Sequence, residues 1–311
     1  MGAGELIIIL ISSAIRAGTP LIFAMVGETL TERAGIINLG LEGIMLMGAL
    51  TGFCITFITR NPYLGVLAAL VAGALMGALH GVITIGLRGN QIVGGLALSM
   101  LGSGFSGFLG KSFIGVKTCG FSKLTVPLLS KIPFLGPMFF EHNLLVYLSY
   151  ILIIISWYFL FFTSHGLILR SVGENPAAAD TQGINVILIR YIYVIAGGAL
   201  SGLAGAYLSL AYNQMWIENM TAGRGWIALA IVIFGGWNTL RGTAGAYLFG
   251  GIDAFQLRLQ AVGTNVSATL LKTFPYLITI LVLVISSSGL LKSSLHAPAA
   301  LGLPYWREEK E

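Results

Sequence analysis

Three short polar stretches interrupt an otherwise apolar chain, and their residue types limit the chemistry available. The first, Glu32-Arg33-Ala34-Gly35-Ile36-Ile37-Asn38-Leu39-Gly40-Leu41-Glu42-Gly43, leads into a strongly apolar run. Ionisable groups at membrane depth are expensive to keep, which makes them functional candidates. Asn38 and Glu42 stand four apart and would share one face of a helix. A helix starting there would aim backbone N–H groups and a positive dipole end at a polar ligand. Glu42 paired with a neighbouring helix, with the glycines serving only close packing, is the other reading of the same residues. The second stretch is Arg170 to Gly183, RSVGENPAAADTQG, a charged, helix-prone island between two long apolar runs. Ser171 with Glu174 three positions on would form a capping box. Alternatively Asn175 caps, with Pro176 at the first helical position, and in either case Gly183 ends the turn. Such a helix offers a compact surface to a soluble partner; an ordinary solvated loop is the plainer alternative.

The third stretch, Phe234-Gly235-Gly236-Trp237-Asn238-Thr239-Leu240-Arg241-Gly242, places an indole and an amide at a glycine-rich break. The pair could stack on and hydrogen-bond a ring-bearing solute, or Trp237 could mark a lipid interface. Asn90 and Gln91 opening another apolar run, and Asp253 with Gln256 inside a later one, are further pathway candidates. His80, among small residues, reads as a packed, hydrogen-bonded group.

Other chemistries lack their residues. The nearest approach to a phosphate-binding loop is Gly110-Lys111-Ser112, but the glycine required five positions earlier is Phe105. Histidines 80, 142, 165 and 296 have no metal-ligand spacing, and Cys54 and Cys119 have no ligand-type neighbours. No nucleophile setting surrounds any Ser, His or Asp. The expected chain is therefore not an enzyme and binds no cofactor or metal. Basic residues are scattered singly, so the net charge of +5 does not indicate nucleic acid.

These stretches must be positioned by helices in a bilayer. Of the 311 residues 56% are hydrophobic and 9% charged, against about 25% charged in soluble domains. The fold class is all-α, a polytopic helical membrane protein in one domain, 1–311. Runs near the ~20 residues needed to cross a bilayer place helices at 5–30, 38–59, 62–87, 90–110, 143–162, 186–212, 225–240, 242–260 and 270–290, for eight to ten spans. The first run reads either as one tilted span or as a short interfacial helix followed by a span. It starts with Glu5 where a cleavable leader would carry a basic residue, so it is expected to stay as an anchor. The 42 glycines indicate close helix packing and broken helices. If 163–190 is cytoplasmic, lysines and arginines divide evenly between the two sides once Arg16 is set aside, so charge counting gives no orientation. The segment 111–142, rich in Pro and Lys with an apolar LGPMFF turn, is expected on the opposite, extracytoplasmic side. A faint echo links Ala17-Gly18-Thr19-Pro20-Leu21-Ile22 with Ala222-Gly223-Arg224-Gly225-Trp226-Ile227, of the kind transporters build as repeats.

In this order, TPLIFAMVGETLTERAGIINLGLEGIMLMGA, LRSVGENPAAADTQGINV, NMTAGRGWIALAIVIFGGWNTLRG and APAALGLPYW resemble the membrane permease subunits of bacterial ATP-binding-cassette (ABC) importers of the simple-sugar, nucleoside and branched-chain amino acid superfamily. The likeness is nearest to nucleoside or riboflavin permeases. It implies a permease fold with short or broken helices around a central pathway, in the bacterial cytoplasmic (inner) membrane. It also implies that 163–190 carries a cytoplasmic coupling helix, with Arg170, Glu174, Asn175, Ala178, Asp180 and Gly183 at its motif positions. Implied partners are ABC ATPase subunits, which bind ATP and Mg, a second related permease chain in a heterodimer, and an extracytoplasmic substrate-binding lipoprotein. Nucleosides are the expected solute, with simple sugars or riboflavin as alternatives, along a path lined by Asn38, Glu42, Asn90, Gln91, Trp237 and Asn238. An ion-coupled secondary transporter using Glu42 and Asp253 is the rival class, and a non-transporting scaffold the other.

Overall fold

A computed structural model describes residues 3–261, 267, 270, 273, 274, 277, 278, 280, 281, 284 and 297–307. The helix expected at 270–290 lies for the most part outside them. Eleven α-helices form among the described residues: α1 (Ala3–Arg33), α2 (Leu41–Thr59), α3 (Pro62–Gly81), α4 (Gln91–Gly110), α5 (Leu135–Phe139), α6 (Leu144–Phe162), α7 (Ser164–Glu174), α8 (Pro176–Thr181), α9 (Val186–Tyr207), α10 (Arg224–Phe234) and α11 (Thr239–Ala261). Wider π-type turns extend α3 through Gly86 and α9 through Tyr212. Among the described residues six helices are long and apolar enough to cross a membrane: α1, extended α3 and α9, α2, α4 and α6. Helix α11 has the length, but Arg241, Asp253, Gln256 and Arg258 make it polar. The expected helix 225–240 stops at Phe234, because Gly236 and Trp237 take positive φ of 61° and 54°.

Helix α1 is one continuous helix with Pro20 inside it, so no separate interfacial helix forms. Proline cannot donate to the carbonyl four residues back, and here that carbonyl, Arg16 O, accepts instead from the Tyr207 hydroxyl at 3.0 Å. At 31 residues α1 is about 46 Å long, well beyond the ~30 Å hydrocarbon core.

Helices α2, α3 and α9 pack through glycine. A Cβ built on Gly48 would lie 2.3 Å from Gly202 O, on Gly73 2.2 Å from Gly198 O, and on Gly202 2.2 Å from Ala69 O. Backbones in direct contact replace the hydrophobic drive that lipid does not supply between helices. Larger residues fill the space beside them, with Phe53, Tyr207 and Trp216 all fully buried.

Segment 111–142 is folded. Lys123–Thr125 pairs antiparallel with Glu141–Asn143, and the LGPMFF stretch supplies the single-turn α5. Isolated bridges join Ile114 to Trp216 and Lys117 to Met215, so this segment and the residues after α9 share one end of the molecule. The 17–22 and 222–227 echo is no structural repeat: the first lies mid-helix, while Ala222 and Gly223 form a left-handed turn ahead of α10.

Candidate coupling surface and solute pathway

Opposite that end, α7 and α8 meet at a sharp turn. Of the two caps considered, Asn175 forms: its Oδ1 accepts the Ala178 N–H at 2.9 Å, and Pro176 follows at the first helical position. The Ser171 capping box does not form, because α7 runs through Ser171 and its hydroxyl bonds back to Leu167 O at 2.9 Å. Gly183, at φ 82°, ends the turn and donates to Asp180 O at 2.9 Å. Ala179 is buried with Val172 and Val186, which leaves Ala177 and Ala178 outward and exposed. Asn175→Ala should cost about 1 kcal/mol at this cap, seen as faster amide exchange confined to 176–182; unchanged exchange would contradict the capping role.

The remaining expected coupling residues hold other parts of the chain. Arg170 lies over the Phe161 ring at 5.5 Å. Glu174 accepts from Ala299 N–H at 3.2 Å, and Asp180 pairs with Arg307 at 3.3 Å. Residues 297–307 thus form a strap across the turn. Ala300 N–H bonds Gly173 O, Gly302 N–H bonds Gly35 O, Leu303 O accepts from the buried Arg190, and Trp306 stacks on Arg88 at 4.0 Å. Arg33 and Arg190 are buried in this assembly, so neither acts as a free loop charge.

The α1–α2 connection, residues 34–40, runs through protein rather than solvent. Its backbone groups therefore need side-chain partners. Gln91 Oε1 accepts the Ile37 N–H at 2.8 Å, His80 Nε2 donates to Ile37 O at 2.9 Å, Glu28 Oε1 accepts the Asn38 N–H at 3.0 Å, and Asn38 Oδ1 accepts the Gly40 N–H at 2.9 Å. Asn38 precedes α2, so it does not share a helical face with Glu42. Asn90 and Asn238 are caps as well, of α4 and α11. Asn38, Asn90, Gln91 and Asn238, four of the six expected pathway residues, are therefore dispersed over this connection and helix ends, and their polar side chains satisfy backbone.

Glu42 and Trp237 bracket α10. Gly43 packs on Leu98 O, seven residues into α4, so α2 begins roughly 10 Å in from the start of α4. From there the Glu42 carboxylate accepts the Thr221 hydroxyl at 2.5 Å and the Gly223 and Gly225 N–H groups at 2.7 Å each. The starts of α2 and α10 meet on this one anion, which suits the positive ends of both helices. At the other end of α10, the Trp237 indole N–H donates to Glu32 at 2.5 Å, and Trp237 O accepts from Arg33 Nε and Nη2 at 3.3 and 3.1 Å. Helix α10 is thus a short, broken helix held at both ends by charged residues of α1 and α2. Arg33 also touches the end of α7, since a Cβ on Gly173 would lie 2.2 Å from Arg33 O.

Beside the start of α10 lies a cavity of about 260 Å³ between α1, α10 and α11. Arg224 Nη2 and Asp253 Oδ2 pair at 2.7 Å on its wall. Gln256 and Gln260 line it beyond them, and Leu21, Ile227 and Phe249 supply apolar surface. Of this set, the sequence reading had weighed only Asp253 and Gln256; Arg224, Gln260 and the gripping roles of Glu28 and Thr221 were missed. Arg224 opens an apolar helix, a position at which a membrane arginine needs a partner, and that signal was available.

A bundle with six helices long and apolar enough to cross a bilayer among the described residues, and one short apolar helix set between two breaks beside a cavity, has the architecture of a multi-pass membrane protein. The chain belongs to the family described as branched-chain amino acid transport system / permease component, which matches residues 10–285. It is 39% identical to a putative glucose ABC transporter permease protein, TsgC13, of Haloferax volcanii, over 96% of this chain and 98% of the relative. It is 36% identical to the nucleoside ABC transporter permease protein NupC of Lactococcus lactis, over 96% of both. The guanosine ABC transporter permease protein NupQ of Bacillus subtilis is likewise 36% identical, over 97% of both. No solved structure matches.

Proposed function

We propose that the chain is the permease subunit of an ATP-driven importer of nucleosides in the cytoplasmic membrane. The observation that carries the coupling half of this reading is the capped α7–α8 turn, which presents Ala177 and Ala178 outward at one end of the bundle. An ATPase subunit docks there and binds the ATP and Mg that this chain does not. A second, related permease chain completes the pathway, and a substrate-binding lipoprotein docks at the opposite end, near 111–142. Motion reaches the cavity through contacts already described: Gly173 against Arg33, Arg33 on Trp237, and α10 from Trp237 to Arg224. A link of this kind biases two arrangements of a packed element instead of deforming it continuously.

Two relatives named for nucleosides or guanosine support the solute. Glucose is the second reading, favoured by the Haloferax volcanii relative. Expected pathway roles for Asn38, Glu42, Asn90, Gln91, Trp237 and Asn238 become indirect: these residues hold the broken helices in place around the path. The test is ATP-dependent uptake of labelled guanosine into proteoliposomes holding the full complex. Uptake that excess unlabelled inosine suppresses and glucose does not supports the nucleoside reading; suppression by glucose alone supports the second. Uptake driven by an ion gradient without ATP would overturn both.

A further inference from the structure

We propose that the cavity between α1, α10 and α11 is the solute-recognition site, with the Gln256 and Gln260 amides reading the nucleobase edge. The inference rests on the nucleoside-import reading for the identity of the solute, though not for the existence of the site. Asp253, Gln256 and Gln260, at i, i+3 and i+7, lie on one face of α11 and line the same cavity. Gln256 is only 6% exposed, on the wall of that cavity. Gln260 Nε2 is buried and has no hydrogen-bond partner. Buried amides are ordinarily hydrogen-bonded, so the unpartnered Gln260 nitrogen, with the Gln256 amide one helical turn away on the same wall, indicates a ligand that completes the pair.

The chemistry of the walls narrows that ligand. A primary amide offers a donor and an acceptor side by side, the pattern that pairs with a base edge. Arg224 and Asp253 neutralise one another, so the site carries no net charge and suits an uncharged solute. Arg224 Nη1 is turned to Met220 O and Thr221 O at 3.3 Å each, which fixes the pair at the start of α10. The apolar side, Leu21, Ile227 and Phe249, suits the faces of a ring. A cavity of about 260 Å³ falls just under the usual ligand-pocket range of about 300–1,000 Å³, which fits one small solute.

The test uses the whole complex, with its ATPase subunits, second permease and lipoprotein, in proteoliposomes. Gln256→Leu should raise KM for guanosine by about 10-fold, as expected when a site loses a hydrogen bond to its substrate. The ratio of KM values for guanosine and uridine should change as well, which a merely structural role would not cause. Gln260→Leu should act in the same direction and serves if the first variant fails to fold. Thermal midpoints of both should match wild type, since leucine suits the apolar side of the cavity. Wild-type KM values and an unchanged guanosine-to-uridine ratio in both variants, with guanosine imported normally, would overturn the site. If the wild-type complex imports glucose and not nucleosides, the solute reading fails; a raised KM for glucose in Gln256→Leu would then still uphold the cavity as the site.

Discussion

Gly202→Val should leave no stable, monodisperse protein. A Cβ at this position would sit 2.2 Å from Ala69 O and 2.9 Å from Gly73 Cα, so the obstacle is the backbone of α3 and no side-chain rotation relieves it. Ordinary overpacking costs about 1–3 kcal/mol, and a backbone collision at a three-helix contact costs more. Gly48 of α2 meets Gly202 from its other side, so separating α9 from α3 would also disturb α2. Fluorescence-detected gel filtration after heating reads the effect directly. Gly104→Ala is the control, because nothing lies within 4 Å of a Cβ there. A Gly202→Val peak as sharp and heat-resistant as wild type would contradict the packing described.

Glu42→Ala should cost about 3 kcal/mol, because buried donors left without an acceptor cost about 1–3 kcal/mol each. Three donors lose their acceptor together: the Thr221 hydroxyl and the Gly223 and Gly225 N–H groups. Hydrogen bonds to charged groups contribute about 1.5–3 kcal/mol each, but bonds to one carboxylate do not add. Beyond stability, the start of α10 would lose its anchor and Arg224 its fixed position beside the cavity, so uptake should fall even in protein that remains folded. Glu42→Gln keeps one oxygen and should lie between wild type and alanine in both thermal midpoint and uptake. Wild-type stability and uptake in Glu42→Ala would show that the carboxylate anchors nothing.

The sequence and the structure agree most closely where a signal is local. Apolar runs located α2, α4, α6 and extended α9 within a few residues, because length and hydropathy determine a span. The Asn175-Pro176 cap and the Gly183 stop were legible for the same reason. Polar residues near membrane depth were harder to read. Asn38, Gln91 and Glu42 carry the chemistry expected of a solute path, yet a broken helix needs that same chemistry to satisfy its own backbone, and residue type alone does not separate the two uses. Glu28 was passed over because its partner, the Asn38 N–H, becomes apparent only once α1 and the connection after it fold together. The strap at 297–307 was visible as the motif APAALGLPYW, but its grip on Gly173, Gly35 and Asp180 depends on contacts more than a hundred residues apart in the chain. Arg33 and Arg190 likewise counted as loop charges until their burial against backbone carbonyls was seen.

The central claim, that this chain couples ATP hydrolysis at the α7–α8 turn to nucleoside import, is tested most directly by ATPase activity of the purified complex in nanodiscs. The lipoprotein should be present, and guanosine, inosine, uridine, glucose, a pentose and riboflavin are compared as stimulants. Nucleosides should raise the rate above the solute-free level. Ala178→Arg, a change on the exposed face of α8, should abolish that rise while leaving the permease folded. A rate indifferent to every solute, or stimulation that survives Ala178→Arg intact, would contradict the account.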